Sequence, residues 1–471
     1  MMKLLVLVLA GTTCALALGQ TYDHLTIAPD SLVPALAPVC ARIEGRGLAD
    51  TTVTVANVLA SSPGRDNQEK LRNFIKRAYS EWGVTYVLLA GDNEQIACRL
   101  CWVEINSQYR DWIPTELYYS ALDGDWDRDG DSRFGEPEDS VDLIPDVLLG
   151  RLPLATPDEM EAFAERFLVY TGDSTRSYLE RVLFAGFDYS AEFKGEDACE
   201  IYDTLLRPAS VRAFKVYDSH SGNHEDSVRH LLDRGMNVWV QFDHCGYNVM
   251  GCGWLNHNWT MFWDELDDMA NAPRYTIGVS AGCFPAAFDS SYCVAEVLLT
   301  APAGGCVAFL GSTRLTWGAT PDPFRTGTHY YCEKSVEEFW DGPGNGTFAG
   351  LAIGQAQAAP LAEAYAVWRW CHYEFMLSGE PTMPVWVPGA SGAREGLTPP
   401  APRLKLGQTV IRGTLLLPRG AGTSSSPSWL LDASGRRVLD LRPGPSDVSG
   451  LAPGVYFVRT GSGIRKVQIA R

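Results

Sequence analysis

One feature constrains the fold of this 471-residue chain more than any other: short apolar runs alternate with amphipathic helical patterns. The runs are typical of strands buried on both faces. They lie at residues 25–28, 52–58, 84–90, 144–149, 182–187, 237–242, 275–280 and 307–310. Helical spacing recurs between them, as at residues 71–82, and Thr156, Pro157 and Glu159 form a helix-starting capping box. The alternation predicts an α/β fold with a mostly parallel sheet and helices on both faces, whose functional residues follow the carboxyl ends of strands.

The two ends of the chain differ from this pattern. Lys3, an apolar run at 4–10 and the small residues Ala15 and Ala17 have the order of a secretory signal peptide, predicted at 1–19. The alternative is a buried N-terminal strand. No later stretch reaches the ~18 apolar residues of a transmembrane helix. We therefore expect an exported protein without a transmembrane segment, secreted or on a bacterial cell surface.

Composition divides the rest of the chain. We expect an N-terminal α/β part at 20–175 and a second α/β part at 176–388, followed by a Gly-, Pro- and Ser-rich linker at 389–406. Residues 407–471 carry short alternating strands separated by turns, which predict a small all-β, immunoglobulin-like sandwich. The 39 basic and 57 acidic residues give a charge of -18, which argues against nucleic-acid binding.

An acidic segment matches the spacing of a calcium-binding loop. Oxygen donors recur at alternate positions, glycine occupies position six as Gly130, and a glutamate follows at position twelve. The flanks do not predict a helix pair, so we expect a calcium loop without EF-hand helices. The alternative is a solvated acidic loop. The predicted ligands are Asp125, Asp127, Asp129, Asp131 and Glu136.

A histidine and a cysteine follow two of the predicted strands. His244 comes directly after 237–242, and Cys283 comes directly after 275–280, so the two can meet at one edge of the sheet. A cysteine beside an imidazole can become a nucleophilic thiolate with a lowered pKa, and amides in the turns can bind an oxyanion. The alternative is a zinc cluster of His244, Cys245, Cys252 and His257, although this spacing is unusual for zinc.

The cysteine count leaves at least one thiol unpaired. Of 12 cysteines, Cys14 lies in the predicted signal peptide, and the remaining 11 cannot all form disulfides. Cys98 and Cys101 have the Cys-x-x-Cys spacing without a second pair, so a disulfide between them is as plausible as a metal site.

These segments resemble the gingipain family of cysteine endopeptidases, in the caspase-like clan, over roughly residues 22–388. The resemblance rests on a strand ending at His244, a strand ending near Cys283, and several further segments. These are residues 86–92, 116–119, 149–151, 295–298 and 379–384. It implies a caspase-like fold, His244 as the catalytic histidine, Cys283 as the nucleophile and calcium as a cofactor.

The resemblance also carries finer expectations. The amides of Cys283 and Cys245 would bind the oxyanion, and Asp197 would lie in the substrate pocket as an acid for Arg or Lys. The alternative for Asp197 is a solvated acid at a helix N-terminus. Asp243 and Cys245 replace the glycines that usually flank the histidine, and Cys245 can still offer its amide. The C-terminal segments 430–436, 451–459 and 465–467 resemble a type IX secretion sorting domain, which implies the secretion machinery as a partner. A generic immunoglobulin-like appendage is the alternative.

The sequence thus predicts a secreted, calcium-stabilised cysteine endopeptidase that acts on proteins or peptides. The alternative is a catalytically silent, calcium-binding surface or adhesion protein on the same fold. The intact pair of His244 and Cys283 favours the first, and the altered neighbours of His244 leave room for the second.

Overall fold

The computed structural model describes residues 21–469, apart from several internal segments. The segments left out are 140, 142, 173–176, 190–191, 252–259, 319–325, 342–348, 358–365, 387–408, 412–413, 418–427, 433–435, 443, 453 and 461–462. The predicted signal peptide at 1–19 and the predicted linker at 389–406 therefore lie outside the described residues.

Fifteen strands are described before residue 380. They are β1 (His24–Ala28), β2 (Asp50–Thr54), β3 (Tyr86–Ala90), β4 (Arg99–Glu104), β5 (Arg110–Thr115), β6 (Leu148–Leu152), β7 (Arg181–Gly186), β8 (Arg212–Tyr217), β9 (Val238–Phe242), β10 (Cys245–Gly246), β11 (Val249–Met250), β12 (Met261–Phe262), β13 (Thr276–Ser280), β14 (Cys306–Ser312) and β15 (Phe375–Gly379). Ten of them form one sheet in the order β2-β1-β3-β6-β15-β14-β13-β9-β7-β8. All pairs in it are parallel except β14–β15.

The helices cover both faces of this sheet. They are α1 (Val33–Gly45), α2 (Val55–Ser61), α3 (Asn67–Arg77), α4 (Leu117–Ser120), α5 (Pro157–Thr171), α6 (Gly195–Leu205), α7 (His224–Asp233), α8 (Trp263–Asp267), α9 (Val294–Thr300), α10 (Thr328–Asp341), α11 (Ala349–Gln357) and α12 (Ala366–Glu374). A π-helical turn, Ala78–Trp82, continues α3, and Pro137–Asp139 is a 3₁₀ turn. No helix in the described part of the chain has both the length and the apolar character to cross a bilayer.

Alternate strand residues feed the cores on opposite faces. Leu88 and Val240 pack on one face with α1, α5 and α10, whereas Leu89 and Trp239 pack on the other. This confirms the predicted α/β fold class. The capping box of α5 is also present: Thr156 Oγ1 accepts from the Glu159 amide, and the Glu159 carboxylate accepts from the Thr156 amide.

One local prediction is wrong, and one element was not predicted. The predicted strand at 52–58 ends at Thr54, whose side chain accepts a hydrogen bond from the Asn57 amide and so begins α2. Residues 99–115 form an antiparallel hairpin, β4–β5, that the apolar pattern did not predict. The predicted parts 20–175 and 176–388 share the large sheet, because β6 pairs with β15 at Arg151 and Ser378.

The C-terminal module is all-β, as predicted. Its strands are β16 (Thr409–Ile411), β17 (Thr414–Leu417), β18 (Ser428–Asp432), β19 (Arg437–Leu441), β20 (Gly444–Asp447), β21 (Gly454–Thr460) and β22 (Gly463–Ile469). Five form a sheet in the order β16-β22-β21-β18-β19, and β17 pairs with β20. Leu430, Val458 and Val467 lie in its buried core. The module is thus built from small sheets with their own core.

Candidate active site

The sheet register places the turns of His244 and Cys283 at the same edge of the sheet. Strands β9 and β13 are hydrogen-bonded parallel neighbours, and Gln241 pairs with Ser280 at their carboxyl ends. His244 and Cys283 are each three residues beyond this pair. Both therefore lie in turns at the same edge of the sheet, where α/β proteins place their functional groups.

Gly282 brings these two turns into contact. A Cβ atom at Gly282 would lie 2.3 Å from Cys245 Sγ and 2.8 Å from the Asp243 carbonyl oxygen. Only glycine permits this approach without displacing a backbone. The turn that carries Cys283 therefore packs directly on the turn that carries His244.

The His244 ring is oriented by a backbone group. Its Nε2 atom lies 3.1 Å from the carbonyl oxygen of Tyr189, which can only accept, so Nε2 carries the proton. In the neutral ring, Nδ1 is then the nitrogen that can accept a proton. The Tyr189 ring also packs edge-on against His244, with centroids 5.2 Å apart. Tyr189 lies beyond β7 at the same sheet edge, and the sequence analysis missed it.

The residue before His244 is also tied to this turn. The Asp243 carboxylate is fully buried and accepts the His244 amide at 2.6 Å from Oδ1. Asp243 replaces an expected glycine and closes a local hydrogen bond at the start of the turn.

The Cys283 thiol faces the loop after β14. Its Sγ atom lies 3.3 Å from both the amide nitrogen and the hydroxyl oxygen of Thr316. Burial raises the pKa of Cys283 above its ordinary value, the Thr316 contacts oppose this, and the Glu374 carboxylate adds to it. This direction is opposite to the lowered pKa expected from the sequence for a thiolate beside an imidazolium.

The backbone around Cys283 has an unusual geometry. Phe284 has a φ of 66°, which is strained for a residue with a side chain, and its amide donates to the Arg314 carbonyl at 3.0 Å. The Cys283 amide makes no hydrogen bond to any other described residue. It is thus able to donate to an oxyanion at the nucleophile.

Cys245 directs its side chain into the protein. Its Sγ atom lies 3.5 Å from Gln241 Oε1, 3.7 Å from Met250 Sδ and 3.8 Å from Ser280 Oγ. Cys245 also pairs with Met250 in the short β10–β11 ladder. The Cys245 side chain therefore packs against buried residues, and only the Cys245 backbone could take part in the site.

Asp197 lies on the surface of the protein. Asp197 is exposed in the first turn of α6. A negative side chain at this end of a helix interacts favourably with the helix dipole. This position is that of a solvated acid at a helix N-terminus.

The sequence also suggested a Cys98–Cys101 disulfide and a zinc cluster. Cys98 and Cys101 are buried free thiols in different core clusters, so they form no disulfide here. Cys252 and His257 of the alternative zinc cluster lie outside the described residues. Within the described residues, the acidic loop is the one group with the geometry of a metal site.

Three of the five predicted calcium ligands converge in that loop. Carboxylate oxygens of Asp127, Asp129 and Asp131 lie within 4.8 Å of one another, and Asp125 and Glu136 are outside this cluster. Burial and the surrounding carboxylates raise the pKa of Glu136 to about 7. The crowding of negative charge suits a divalent cation, although Arg65 Nη1 also contacts Asp127 Oδ2 at 2.6 Å.

A further carboxylate in this loop was missed. Asp139 is 1% exposed and accepts the amides of Arg128 and Gly135 at 2.6 and 2.8 Å. Burial raises its pKa to about 6. Asp139 fixes the backbone of the loop from within.

Comparison with known proteins gives one family match. The sequence model described as peptidase family C25 matches residues 17–386. Lys-gingipain W83 of Porphyromonas gingivalis is 23% identical over 261 residues, and so is a second Lys-gingipain of that species over 256 residues. Each alignment covers 53% of this chain and 13% of the relative, so the chain matches only a small part of those proteins.

Solved structures agree on the fold. The crystal structure of gingipain R, an arginine-specific cysteine proteinase, superposes with a TM-score of 0.58 and 16% identity over 96% of this chain and 98% of its own. A complex of the Porphyromonas gingivalis RgpB pro- and mature domains gives 0.56 and 14%, over 95% and 100%. The expected gingipain-like fold is confirmed.

Proposed function

The chain belongs to peptidase family C25, and on this basis we propose that it is a cysteine endopeptidase with Cys283 as nucleophile and His244 as general base. One observation carries the assignment: the two side chains follow paired positions of neighbouring parallel strands by the same three residues. Hydrolysis by a cysteine nucleophile needs a thiol and an imidazole close to each other.

The proposed reaction has two steps. His244 Nδ1 takes the Cys283 proton as Sγ attacks the carbonyl carbon of the scissile peptide bond. The C–S bond forms, the C–N bond breaks, and His244 returns the proton to the leaving amine. Water, deprotonated by His244, then hydrolyses the thioester and releases Cys283 Sγ, which recovers its proton. The Tyr189 carbonyl holds the ring in the tautomer that both steps require.

The oxyanion would be bound by backbone groups. The Cys283 amide supports this role because it has no other partner among the described residues. We assign the Cys245 amide as the second donor, from its position directly after His244. Two such donors stabilise the negative oxygen of the tetrahedral intermediate.

Calcium is proposed as a stabilising cofactor. The cluster of Asp127, Asp129 and Asp131 fits a cation with oxygen ligands. Burial and then the neighbouring carboxylates raise the pKa of Glu136, and a cation would relieve the repulsion among these carboxylates. The ion would hold this loop together and has no part in the proposed reaction. Asp125 and Glu136 would join it only after a local rearrangement.

Export is also a proposal. Residues 1–19 have the composition of a signal peptide, and the module at 407–471 would engage a type IX secretion machinery. Protein truncated after Pro388 should then fold but fail to reach the surface of its native host. Normal delivery of the truncated protein would contradict the sorting role.

The substrate preference proposed from the resemblance is a basic residue before the scissile bond. The sequence relatives are named for lysine and the matched structure for arginine. Asp197, exposed at the start of α6, is the candidate for a contact with a basic side chain. A substrate library without preference for Arg or Lys before the scissile bond would remove it.

The activity is tested by cleavage of an unfolded protein in calcium and a reductant. Cys283→Ala and His244→Ala should each lose at least about a thousandfold in rate. Cys40→Ala is the matched control, because Cys40 is the other partly exposed thiol among the described cysteines. Full activity of Cys283→Ala would exclude the assignment, and an inactive wild-type protein would favour the silent calcium-binding alternative.

A further inference from the structure

The loop after β14 contacts the nucleophile through one residue. The Thr316 amide nitrogen and the Thr316 hydroxyl oxygen each lie 3.3 Å from Cys283 Sγ. Within the described residues, this thiol is the one hydrogen-bond partner of the Thr316 hydroxyl. The side chain is therefore committed to the sulfur atom.

The hydroxyl can serve both protonation states of the sulfur. While Cys283 is a thiol, its S–H can donate to Thr316 Oγ1, and the Thr316 amide donates to the sulfur. When the proton leaves, the hydroxyl can rotate and become a second donor to the thiolate. Hydrogen bonds to a charged atom are stronger than those to a neutral one, so this exchange favours ionisation.

The surroundings make such donors necessary. Burial of Cys283 disfavours the thiolate, and the two groups of Thr316 are the contacts that lower its pKa. His244 belongs to the neighbouring turn on β9, and Thr316 belongs to the loop on the opposite neighbour, β14. The turn that carries His244 and the loop that carries Thr316 thus follow the two strands that flank β13, the strand that leads to Cys283.

The loop that carries Thr316 is fixed at its start. The Thr313 amide donates to the Glu374 carbonyl at 3.0 Å, and the Arg314 carbonyl accepts the Phe284 amide. The Arg314 guanidinium binds both carboxylate oxygens of Asp289 at 2.9 and 2.7 Å. These bonds tie the loop to the segment that follows Cys283.

The end of the loop is fixed by a second set of contacts. The Trp317 amide donates to Thr328 Oγ1 at 3.3 Å, and the Thr328 amide donates back to the Trp317 carbonyl at 2.9 Å. Thr328 Oγ1 in turn donates to the fully buried Glu374 carboxylate at 2.8 Å. With both ends held, Thr316 meets the sulfur in a preorganised position.

We propose that Thr316 is a third catalytic residue, whose hydroxyl stabilises the ionised sulfur of Cys283 before it attacks the substrate. The proposal rests on the proposed function, since it requires Cys283 to be the nucleophile. It adds a side chain that neither the resemblance nor the family match assigns. No substrate contact is needed, so the effect exists in the free enzyme.

The experiment measures the rate of Cys283 carbamidomethylation against pH, by mass mapping of wild type, Thr316→Val and Thr316→Ser. Loss of the hydroxyl in Thr316→Val should move the midpoint upward by about one pH unit, because a hydrogen bond to the thiolate is lost. Thr316→Ser keeps the hydroxyl and should leave the midpoint near that of wild type. The acidic limb of kcat/KM should shift with the same sign, with little change in KM.

A second pair of variants keeps the test valid if Thr316→Val is poorly folded. If Thr316→Val melts early, Thr316→Ala and Thr316→Ser can be compared, since both lack the methyl group and only serine keeps the hydroxyl. Coincident pH midpoints for folded variants with and without the hydroxyl would overturn the Thr316 proposal and leave the proposed function intact. Retained cleavage by Cys283→Ala would instead refute the proposed function.

Discussion

A histidine remote from the active site should make the stability of this protein depend on alkaline pH. His24 begins β1 and is fully buried. Its Nδ1 lies 2.6 Å from Asp50 Oδ1, and its Nε2 lies 3.0 Å from Glu380 Oε1. A ring with a carboxylate at each nitrogen is held best as an imidazolium, in which both nitrogens donate.

The size and sign of the effect follow from the pKa. Burial by itself lowers the pKa of His24, but the two carboxylates outweigh it and raise the pKa from 6.5 to about 9. A raised pKa stabilises the folded protein fully below pH 6.5, and this stability is lost as the pH rises through 9. At 1.36 kcal/mol per pKa unit, the contribution is about 3 kcal/mol, most of which disappears between pH 6 and 9.

The assay is urea unfolding of wild type and His24→Gln at pH 6, 7.5 and 9 in a reductant. At pH 6 the variant should be less stable by about 3 kcal/mol or more, because two buried carboxylates lose their cation. The difference between the two proteins should shrink as the pH rises to 9. His230→Gln is the control, since His230 is exposed on α7. Parallel pH profiles for wild type and His24→Gln would refute the reasoning.

Three further outcomes are expected. Calcium at 100 times its dissociation constant should stabilise the fold by about 2.7 kcal/mol and raise Tm. Asp129→Asn should reduce this stabilisation by calcium. Equal Tm values in calcium and in a chelator would contradict calcium binding by the acidic loop. Burial lowers the pKa of His372 to about 4, so stability should fall as the pH drops from 6.5 to 4, and a flat acid limb in urea unfolding would contradict this. In the native protein, the rate of Cys283 labelling by iodoacetamide should rise above pH 8.5, and labelling should abolish cleavage. Cys245→Ala should keep most of the activity. Labelling of Cys245 before Cys283 would argue against Cys283 as the nucleophile.

The elements that could be predicted from the sequence are those with a periodic or continuous apolar pattern. Continuous apolar runs at β9 and β13 gave the strands, and the rule that functional groups follow their carboxyl ends gave His244 and Cys283. The 52–58 run failed because the Thr54 cap, a local hydrogen bond, begins a helix inside an apolar segment. Strand β15 was missed because its apolar run, residues 375–377, is too short to stand out as a strand.

The supporting groups of the site were less accessible to sequence reasoning. The Tyr189 carbonyl has no signature, because every residue type carries one. Thr316 could have been flagged, since it follows β14 at the same sheet edge, but hydroxyl side chains are too common to be singled out. In the acidic loop, spacing predicted Asp127, Asp129 and Asp131, whose carboxylates lie within 4.8 Å of one another. Asp139 acts through burial, which spacing does not encode.

The distribution of sulfur has a practical consequence. The ten cysteines in the described residues are all free, and only Cys40 and Cys283 are more than slightly exposed. The other eight are natural reporters of local opening, because a buried sulfur reacts with a reagent only when its surroundings separate. Cys306 on β14 and Cys332 on α10 would report on the middle of the sheet, and Cys199 on α6 would report on its flank. Residue-resolved rates of thiol modification would therefore map the opening free energy across the fold without any engineered label.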